Sequence, residues 1–246
     1  PRPHRSLKPL RSRHRLSNRL RPLSLNPPCQ RRPASEIEHI ITRLIVGGAQ
    51  ENTLSTVLGL HKIPGVEVRL VSGPTTGPEG TLEPQALAVG GLFHLEPHLV
   101  RPVSPWHDLR ALFSLAQRFR KTRPDIVHTH SGKAGLVGRL AARMARVPCV
   151  IHTIHGPSFG DFQGRGANFL FKNAERLAGR FTHHFIVVAN AMRDQYLRAG
   201  IGSPELYSRI FSGFNLGPYL EVRNDLNLRA QYGIGPEDIV IGKIAR

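Results

Sequence analysis

Apolar residues follow two alternating patterns along the chain from about residue 36 onward. Short apolar runs of strand length are followed by longer stretches in which apolar positions recur with the helical period. The short runs predict strands at His39–Ile45, Val66–Val71, Asp125–His128, Cys149–Thr153, Phe185–Val188, Arg209–Ser212 and Ile239–Ile244. The longer stretches predict helices at Gln50–His61, Trp106–Lys121, Gly132–Ala145, Gly166–Arg180, Ala189–Ala199 and Asn224–Tyr232.

Strands that alternate with helices form βαβ units, whose strands run parallel and whose helices cover the sheet. The pattern therefore predicts an α/β protein with a Rossmann-like parallel sheet and helices on both faces. In such a sheet, ligands bind in the crevice outside the carboxyl ends of the strands. Small, polar and ionisable residues follow the predicted strands at Val46–Gln50, Thr129–Lys133, Ile154–Ser158, Ala189–Asn190 and Gly213–Asn215. We expect these segments to meet at one edge of the sheet.

Residues 1–34 have a different composition from the rest of the chain. They contain ten basic and no acidic residues, seven prolines, and no Val, Ile or Phe. Such a segment buries too little apolar surface to offset its ordering entropy, so it is predicted to be a disordered basic tail. It could be an arm that binds phosphate or anionic lipid, a solvated tail, or upstream sequence translated in error. Without it the net charge falls from +17 to +7, which argues against a specific nucleic-acid-binding protein.

The two cysteines, Cys29 and Cys149, exclude a disulfide framework and fit a reducing compartment. Apolar stretches are too short or too polar to span a bilayer, and the basic start is not followed by the apolar region of a signal peptide. The first residue is Pro rather than Met, so we expect the sequence to begin within a reading frame. These features predict a cytoplasmic protein.

Two glycine-containing segments could bind an anion. Gly47 and Gly48 open a predicted helix directly after a strand, where free backbone N–H groups favour a phosphate. The alternative is a tight turn, and the pattern is not the dinucleotide-binding fingerprint. Ser131-Gly132-Lys133 departs from the phosphate-loop motif, which excludes an ATPase of that class, but Lys133 could still meet a phosphate as a point charge.

Histidines cluster near the predicted strand ends. His128 and His130 share one face of a strand, and a metal site built with further histidines is conceivable. No motif or carboxylate set supports one, so we predict no metal. Most of these histidines are expected to be hydrogen-bonded structural groups, whereas His155, in a turn facing the presumed crevice, is a candidate reactive residue. The helix Gly166–Arg180 carries an apolar stripe with basic flanks, which fits either an anionic membrane surface or packing in the core.

Several segments together resemble glycosyltransferase family 4. They are "IITRLIVGGAQEN" (Ile40–Asn52), "PDIVHTHSGKAGLVGRLAARMARVPCVIHTIHG" (Pro124–Gly156), "VVANAMRDQYLRAGI", "IFSGFNLGPY" and the terminal "IGKIAR". The resemblance covers about residues 37–246 and rests on the order and spacing of the segments. It implies a retaining, metal-independent enzyme with two Rossmann-like domains across a cleft, the GT-B arrangement. Residues 35–222 would form the amino-terminal, acceptor-side domain, and residues 223–246 the linker and first strand of a nucleotide-sugar-binding domain.

The resemblance also implies roles for individual residues. Gly47 and Gly48 would lie beside the donor pyrophosphate and the acceptor, His155 would contact the transferred sugar, and His130 would line the cleft. Arg246 would meet the donor diphosphate. Gln50, Lys133 and Gly156, in the same loops, complete the expected substrate-binding set.

The implied reaction transfers a sugar from a nucleotide sugar to a cell-envelope, polysaccharide or lipid-linked acceptor. Because the sequence ends at Arg246, where the second domain would begin, we expect this stretch alone to show no turnover. Two alternatives remain open. The first is a nucleotide-sugar 2-epimerase on the same scaffold, and the second is a non-enzymatic nucleic-acid-binding protein driven by the basic tail.

Overall fold

A computed structural model describes residues 35–221 and 227–242 of the chain. Its seven strands form one sheet in the order β3-β2-β1-β4-β5-β6-β7, and every neighbouring pair is parallel. The strands are β1 (Ser35–Ile41), β2 (Val66–Ser72), β3 (Phe93–Leu95), β4 (Ile126–His130), β5 (Cys149–Ile154), β6 (His184–Val187) and β7 (Tyr207–Arg209). This order reverses direction between β1 and β4, which is the switch point where doubly wound sheets bind ligands.

Helices connect successive strands and confirm the predicted Rossmann-like α/β fold. They are α1 (Gly48–His61), α2 (Glu83–Leu87), α3 (Pro105–Thr122), α4 (Gly132–Ala145), α5 (Arg165–Gly179) and α6 (Asn190–Arg198), followed by the short α7 (Gly217–Leu220) and α8 (Leu228–Gln231). A 3₁₀ turn spans Pro204–Leu206. No helix of the described ranges combines the length and the apolar character needed to cross a membrane.

Strand β1 contributes to apolar clusters on both faces of the sheet, because successive side chains of a strand point to opposite faces. Ile40 is buried among residues of α3, α4 and the neighbouring strands, including Leu115 and Val137. Ile41 is buried in a second cluster with Leu54 and Val57 of α1. The strand therefore has apolar side chains on both faces, as expected for a sheet covered on both sides.

Two glycines of helix α4 face strand side chains at close range. A Cβ built on Gly135 would lie 2.5 Å from Cε1 of His152, and one on Gly138 would lie 2.7 Å from Cγ2 of Thr129. A real Cβ at either position would force the neighbouring side chain to shift. The glycines of α4 therefore set its distance from β4 and β5.

The first predicted strand, His39–Ile45, begins and ends too late, since β1 ends at Ile41. Leu44 and Ile45 are buried, but in a loop. The Leu82 N–H donates to the Leu44 carbonyl over 2.7 Å, and Ile45 forms an isolated antiparallel bridge with Thr81. The apolar run thus continues past the strand because the loop after β1 packs against a second loop.

Other differences lie in short elements. The sequence prediction missed β3 and α2, and it placed the strand at Arg209–Ser212 beyond the observed β7. The described part of Ile239–Ile244 is not a strand: Ile239 and Ile241 are 93% and 91% exposed, and a strand needs a neighbour to satisfy its backbone. Within Asn224–Tyr232, only Leu228–Gln231 is described as a helix. The predicted tail, residues 1–34, lies outside the described residues.

Candidate functional site

The loops that follow β1, β2 and β4 meet at the carboxyl edge of the sheet. The backbone N–H of Ala134, in the first turn of α4, donates to Oγ1 of Thr42 just after β1 over 3.2 Å. A Cβ on Gly73, just after β2, would lie 1.8 Å from the Leu99 carbonyl oxygen and 2.7 Å from that of Thr42. Gly73 is therefore required by a close approach of three backbone segments, which fixes this edge.

The loop after β1 presents an open helix start. Gly47 precedes α1 in an extended conformation and Gly48 is its first residue, and the helix start has no side-chain cap. Gly48 is exposed, and a Cβ placed on it would meet nothing within 4 Å. Gln50 lies in the same first turn and is partly exposed. Uncapped N–H groups beside an unobstructed backbone can receive an anion.

Three histidines join end to end through hydrogen bonds beside this loop. His130, the last residue of β4, lies with Nδ1 3.1 Å from Nε2 of His155, which follows β5. On its other side, Nε2 of His130 lies 2.9 Å from Nδ1 of His39 on β1. His130 and His39 are buried, whereas His155 is only partly buried. The structure therefore brings His130 and His155 together, as the sequence predicted for residues after neighbouring strands.

Burial keeps these imidazoles neutral. It lowers the pKa of His155 to about 4 and that of His39 to about 3. The pKa of His130 is also well below its ordinary value, first because of burial and then because of its histidine neighbours. A neutral imidazole can donate one hydrogen bond and accept another without introducing charge.

His39, His128 and His130 are also the one group among the described residues with the spacing of a metal site. Each offers a ring nitrogen, and these atoms lie within 4.8 Å of one another. Two of the nitrogens bond to each other, however, and Nε2 of His128 bonds to Oγ1 of Thr153 over 2.7 Å. The arrangement fits hydrogen bonding better than metal binding.

The start of α4 lies on the other side of His130. Ser131 precedes the helix with φ 63° and ψ 171°, a conformation rare for residues other than glycine, and its strain sits beside the histidines. Lys133 forms an ion pair with Asp108 of α3 and donates to the carbonyl of Pro102. Its charge is therefore partly neutralised, but Lys133 still lines a groove together with Gly156.

That groove has a volume of about 590 Å³ and lies between α3, α4 and α5. Most of its lining is apolar: Val103, Leu109, Leu136, Leu140, Leu170 and Phe171. Gly132 and Gly156 place its inner end at the carboxyl edge, next to His155. An apolar groove thus opens directly beside the carboxyl edge of the sheet that carries Gly48, His130 and His155, which we call the rim.

The model for glycosyltransferase family 4 matches residues 46–210, which include the loop after β1, the histidines at 130 and 155, and α4. The chain belongs to this family. The resemblance inferred from the sequence segments is thereby confirmed.

Curated relatives include two bacterial transferases named for undecaprenol-linked acceptors. The chain is 35% identical over 133 residues to an Escherichia coli UDP-Gal:α-D-GlcNAc-diphosphoundecaprenol α-1,3-galactosyltransferase, which covers 54% of the chain and 34% of that protein. It is 29% identical over 169 residues to a Xylella fastidiosa UDP-N-acetylglucosamine–N-acetylmuramyl-(pentapeptide) pyrophosphoryl-undecaprenol N-acetylglucosamine transferase, which covers 68% of the chain and 42% of that protein. The chain spans less than half of the length of these relatives.

Solved structures share the fold. A glycosyltransferase from Rickettsia africae matches with a TM-score of 0.58 and 19% identity, over 82% of this chain and 50% of that one. A UDP-N-acetylglucosamine 2-epimerase matches with a TM-score of 0.54 and 18% identity, over 70% and 47% of the two chains. At these identities the likeness shows a common architecture and does not separate transferases from epimerases.

The sequence did not reveal that His39 belongs to this histidine cluster. The residue was placed at the start of a strand, and only the register of the sheet, in which His39 pairs with His128, shows that it joins the histidines of β4. The alternation of side chains along both strands was the available signal, but register cannot be derived from it. Arg246, expected to meet the donor diphosphate, lies outside the described residues.

Proposed function

We propose that this chain is the acceptor-side part of a retaining glycosyltransferase that transfers a sugar from a nucleotide sugar to a lipid-linked or polysaccharide acceptor. The observation that carries the proposal is the junction of three features at one sheet edge: the open start of α1, His155 and the apolar groove. The 35% identity to an enzyme named for a diphosphoundecaprenol acceptor supports the acceptor class.

The residues of the rim fit the charges that develop in the reaction. Cleavage of the bond between sugar and diphosphate places negative charge on the leaving group and positive charge on the sugar ring. Backbone N–H groups around Gly47 and Gly48 can stabilise the diphosphate, with Gln50 beside them. His155, His130 and Gly156 are proposed to border the sugar, where a neutral imidazole orients a hydroxyl without opposing the charge of the ring. Arg246 remains a proposed diphosphate contact.

The apolar groove is proposed to receive the lipid part of the acceptor. Its walls are apolar along α3, α4 and α5, and its inner end reaches Gly156, so a lipid lying there would place its polar end beside His155. Lys133, although paired with Asp108, and the exposed Arg101 are the cations at the groove that favour an acceptor phosphate.

The outer surface beside the groove supports peripheral contact with an anionic membrane. Phe169 and Leu170 of α5 are 69% and 62% exposed, and Trp106 at the start of α3 is 61% exposed. The apolar stripe of α5 is therefore divided: Phe171 and Ala178 pack in the core, whereas Phe169 and Leu170 face outward. Arg110 stacks on Trp106 with its guanidinium 4.5 Å from the ring centroid. Exposed aromatic groups with neighbouring cations suit an anionic membrane interface, and we propose a cytoplasmic enzyme that contacts the membrane from that side.

A sedimentation experiment tests the membrane contact. The 246-residue chain is mixed with vesicles of zwitterionic lipid alone or with anionic phospholipid, and it is expected to sediment with the anionic vesicles. Replacing Phe169 and Leu170 together by Ser should reduce sedimentation. Leu177→Ser, an exposed change on the same helix away from the groove, is the matched control. Equal sedimentation of all three proteins would contradict the assigned surface.

Sugar transfer is tested in a longer protein that carries this chain together with the nucleotide-sugar domain. Radiolabelled UDP-sugars are incubated with prenyl-diphosphate-linked sugar acceptors, with and without EDTA. We expect acceptor-dependent label in the lipid fraction that survives EDTA, because no metal is proposed to act. Loss of the donor without any acceptor, with formation of an epimeric nucleotide sugar, would instead support the 2-epimerase alternative.

A further inference from the structure

The three histidines of the rim form a continuous hydrogen-bonded chain from the interior to the surface. Nδ1 of His39 lies 2.9 Å from Nε2 of His130, and Nδ1 of His130 lies 3.1 Å from Nε2 of His155. The rings are nearly parallel, with interplanar angles of 16° and 26°. Each contact is short enough for an N–H to lie between the two nitrogens.

A chain of neutral imidazoles has only two hydrogen-bonding arrangements. Each ring carries one N–H and one lone pair, so a ring that accepts on one side must donate on the other. Either His39 donates to His130 and His130 donates to His155, or both bonds run in the opposite direction. The buried rings are neutral because burial lowers the pKa of His39 and of His130.

His39, at the buried end of the hydrogen-bonded imidazoles, distinguishes the two arrangements. Nε2 of His39 is buried and has no hydrogen-bond partner among the described residues. If the bonds run outward, this atom is an unpaired lone pair; if they run inward, it is an unpaired N–H. Buried N–H groups without a partner are the rarer case, because N–H donors are almost always satisfied in folded proteins. At the outer end, His155 is partly exposed, so either form of its Nδ1 can be satisfied by solvent.

We infer that His39, acting through His130, holds His155 in the tautomer that carries its proton on Nδ1, so that His155 presents an N–H donor to the rim. Nε2 of His155 is then occupied as an acceptor from His130. Among the described residues, no hydrogen bond is made to Nδ1 of His155, which leaves that donor for a ligand oxygen. The tautomer is set by the protein alone; its consequence for sugar transfer rests on the proposed function.

The inference assigns a chemical task to His155. A histidine with its free nitrogen protonated can hydrogen-bond a sugar hydroxyl or carbonyl oxygen, but it cannot accept a proton at that atom. His155 therefore acts as a fixed donor and not as a general base. His39, which the geometry keeps away from the surface, is a positioning residue.

The test is a long-range ¹H–¹⁵N spectrum of the 246-residue chain labelled with ¹⁵N-histidine, recorded at neutral pH. Signals of His155 are identified by their absence in His155→Gln. We expect a pyrrole-like Nδ1 and a pyridine-like Nε2 for His155, the reverse of the tautomer that free neutral histidine favours in water. A pyrrole-like Nε2 would overturn the inference. A spectrum altered by EDTA would also overturn it, because a bound metal ion would then set the tautomers.

Three variants test whether His39 sets the tautomer. His39→Leu removes the donor and should shift His155 toward the Nε2–H form. His39→Asn, whose amide occupies the place of Nδ1, should keep the wild-type signals. His128→Gln removes another imidazole, whose ring centroid lies 4.3 Å from that of His130. His128 is not part of the hydrogen-bonded series His39–His130–His155, so the change should leave the signals of His155 unchanged. If wild-type signals persist in a folded His39→Leu protein, His39 is not the positioning residue.

The functional consequence is measured separately. In the longer protein, His39→Leu should lower kcat for sugar transfer more than it raises KM for the nucleotide sugar, and His39→Asn should restore kcat. A confirmed tautomer without any effect on kcat would leave the hydrogen-bond chain intact and would contradict only the role of His155 in transfer.

Discussion

Helices α1 and α4 begin next to each other at the switch point of the sheet, and both begin at a glycine, yet glycines serve the two helices differently. At α1, Gly48 is exposed with free space around it. At α4, Gly135 and Gly138 face side chains of the sheet so closely that an added Cβ would displace them. The same residue type thus leaves room for a ligand at one helix and allows close packing at the other. Only the structure separates these two uses.

The two helices also differ in how their charges are held. Arg139, on the buried side of α4, is fully enclosed and donates to Glu175 of α5 over 2.7 Å. Helix α1 has no buried ion pair among its described residues. Helix α4 is thus a fixed support of this edge of the sheet, whereas the start of α1 is left uncapped and unobstructed.

Breaking the α4 support should have the largest effect. Arg139→Met is expected to destabilise the 246-residue chain by about 3–5 kcal/mol, because it leaves the Glu175 carboxylate buried without its partner. Urea unfolding measures the change. Replacing both residues, Arg139→Met with Glu175→Leu, should recover most of the stability. An Arg139→Met protein as stable as the wild type would show that the ion pair does not hold α4 against α5.

Acid should destabilise the buried histidines at the edge of the sheet. His39 and His155 have pKa values of about 3 and about 4 in the folded chain, below the ordinary 6.5. The unfolded chain therefore binds more protons below pH 6.5, and stability must fall as the pH falls. At about 1.4 kcal/mol per pKa unit, these two residues predict a loss of roughly 2–3 kcal/mol between pH 7 and 5.5.

Denaturant unfolding at the two pH values checks this. His39→Asn, which cannot titrate, should lose less stability over the same interval. Equal pH dependence of the variant and the wild type would assign the acid sensitivity to other groups.

Filling the close contact of α4 should cost less. Gly135→Ala places a methyl group against the ring of His152, which Thr129 fixes by a 2.9 Å hydrogen bond. Overpacking, partly offset by the better helix propensity of alanine, predicts a loss of about 1–2 kcal/mol. Gly59→Ala in α1 is the control, since nothing lies within 4 Å of its Cβ and the change should stabilise the helix. The distinction between the helices fails if both changes have the same sign.

The smallest effect on stability is expected at the start of α1. Gly48→Ala should change the free energy of unfolding by less than about 0.5 kcal/mol, because its Cβ meets no atom. In the longer protein the same methyl group should hinder approach of the diphosphate and raise the KM for the nucleotide sugar about three- to tenfold. An unchanged KM would remove Gly48 from the donor site.

Much of the fold followed from the alternation of apolar runs and helical periods. The bounds of α4 were predicted as observed, and β2 and β5 within one residue, because each is a buried element with clear flanking signals. The strand predicted in place of β1 extended too far because Leu44 and Ile45, although apolar and buried, pack in the loop that follows it. The short β3 was missed because three residues give no periodicity.

Less of the site could be predicted. The carboxyl-edge rule correctly brought together residues that follow neighbouring strands, including His130 and His155. It did not show that Lys133 is paired with Asp108, since the approach of α3 to α4 is a tertiary feature. It also did not show the link from His39 to His130, which depends on the register of β1 against β4.

The most direct test of the account is the transfer rate of the longer protein with His155→Ala beside the wild type, measured with the same nucleotide sugar and lipid-linked acceptor. Loss of a donor at the reacting sugar should lower kcat by about 10²- to 10³-fold. A variant that transfers sugar at nearly the wild-type rate would contradict the assignment of this sheet edge as the place of transfer.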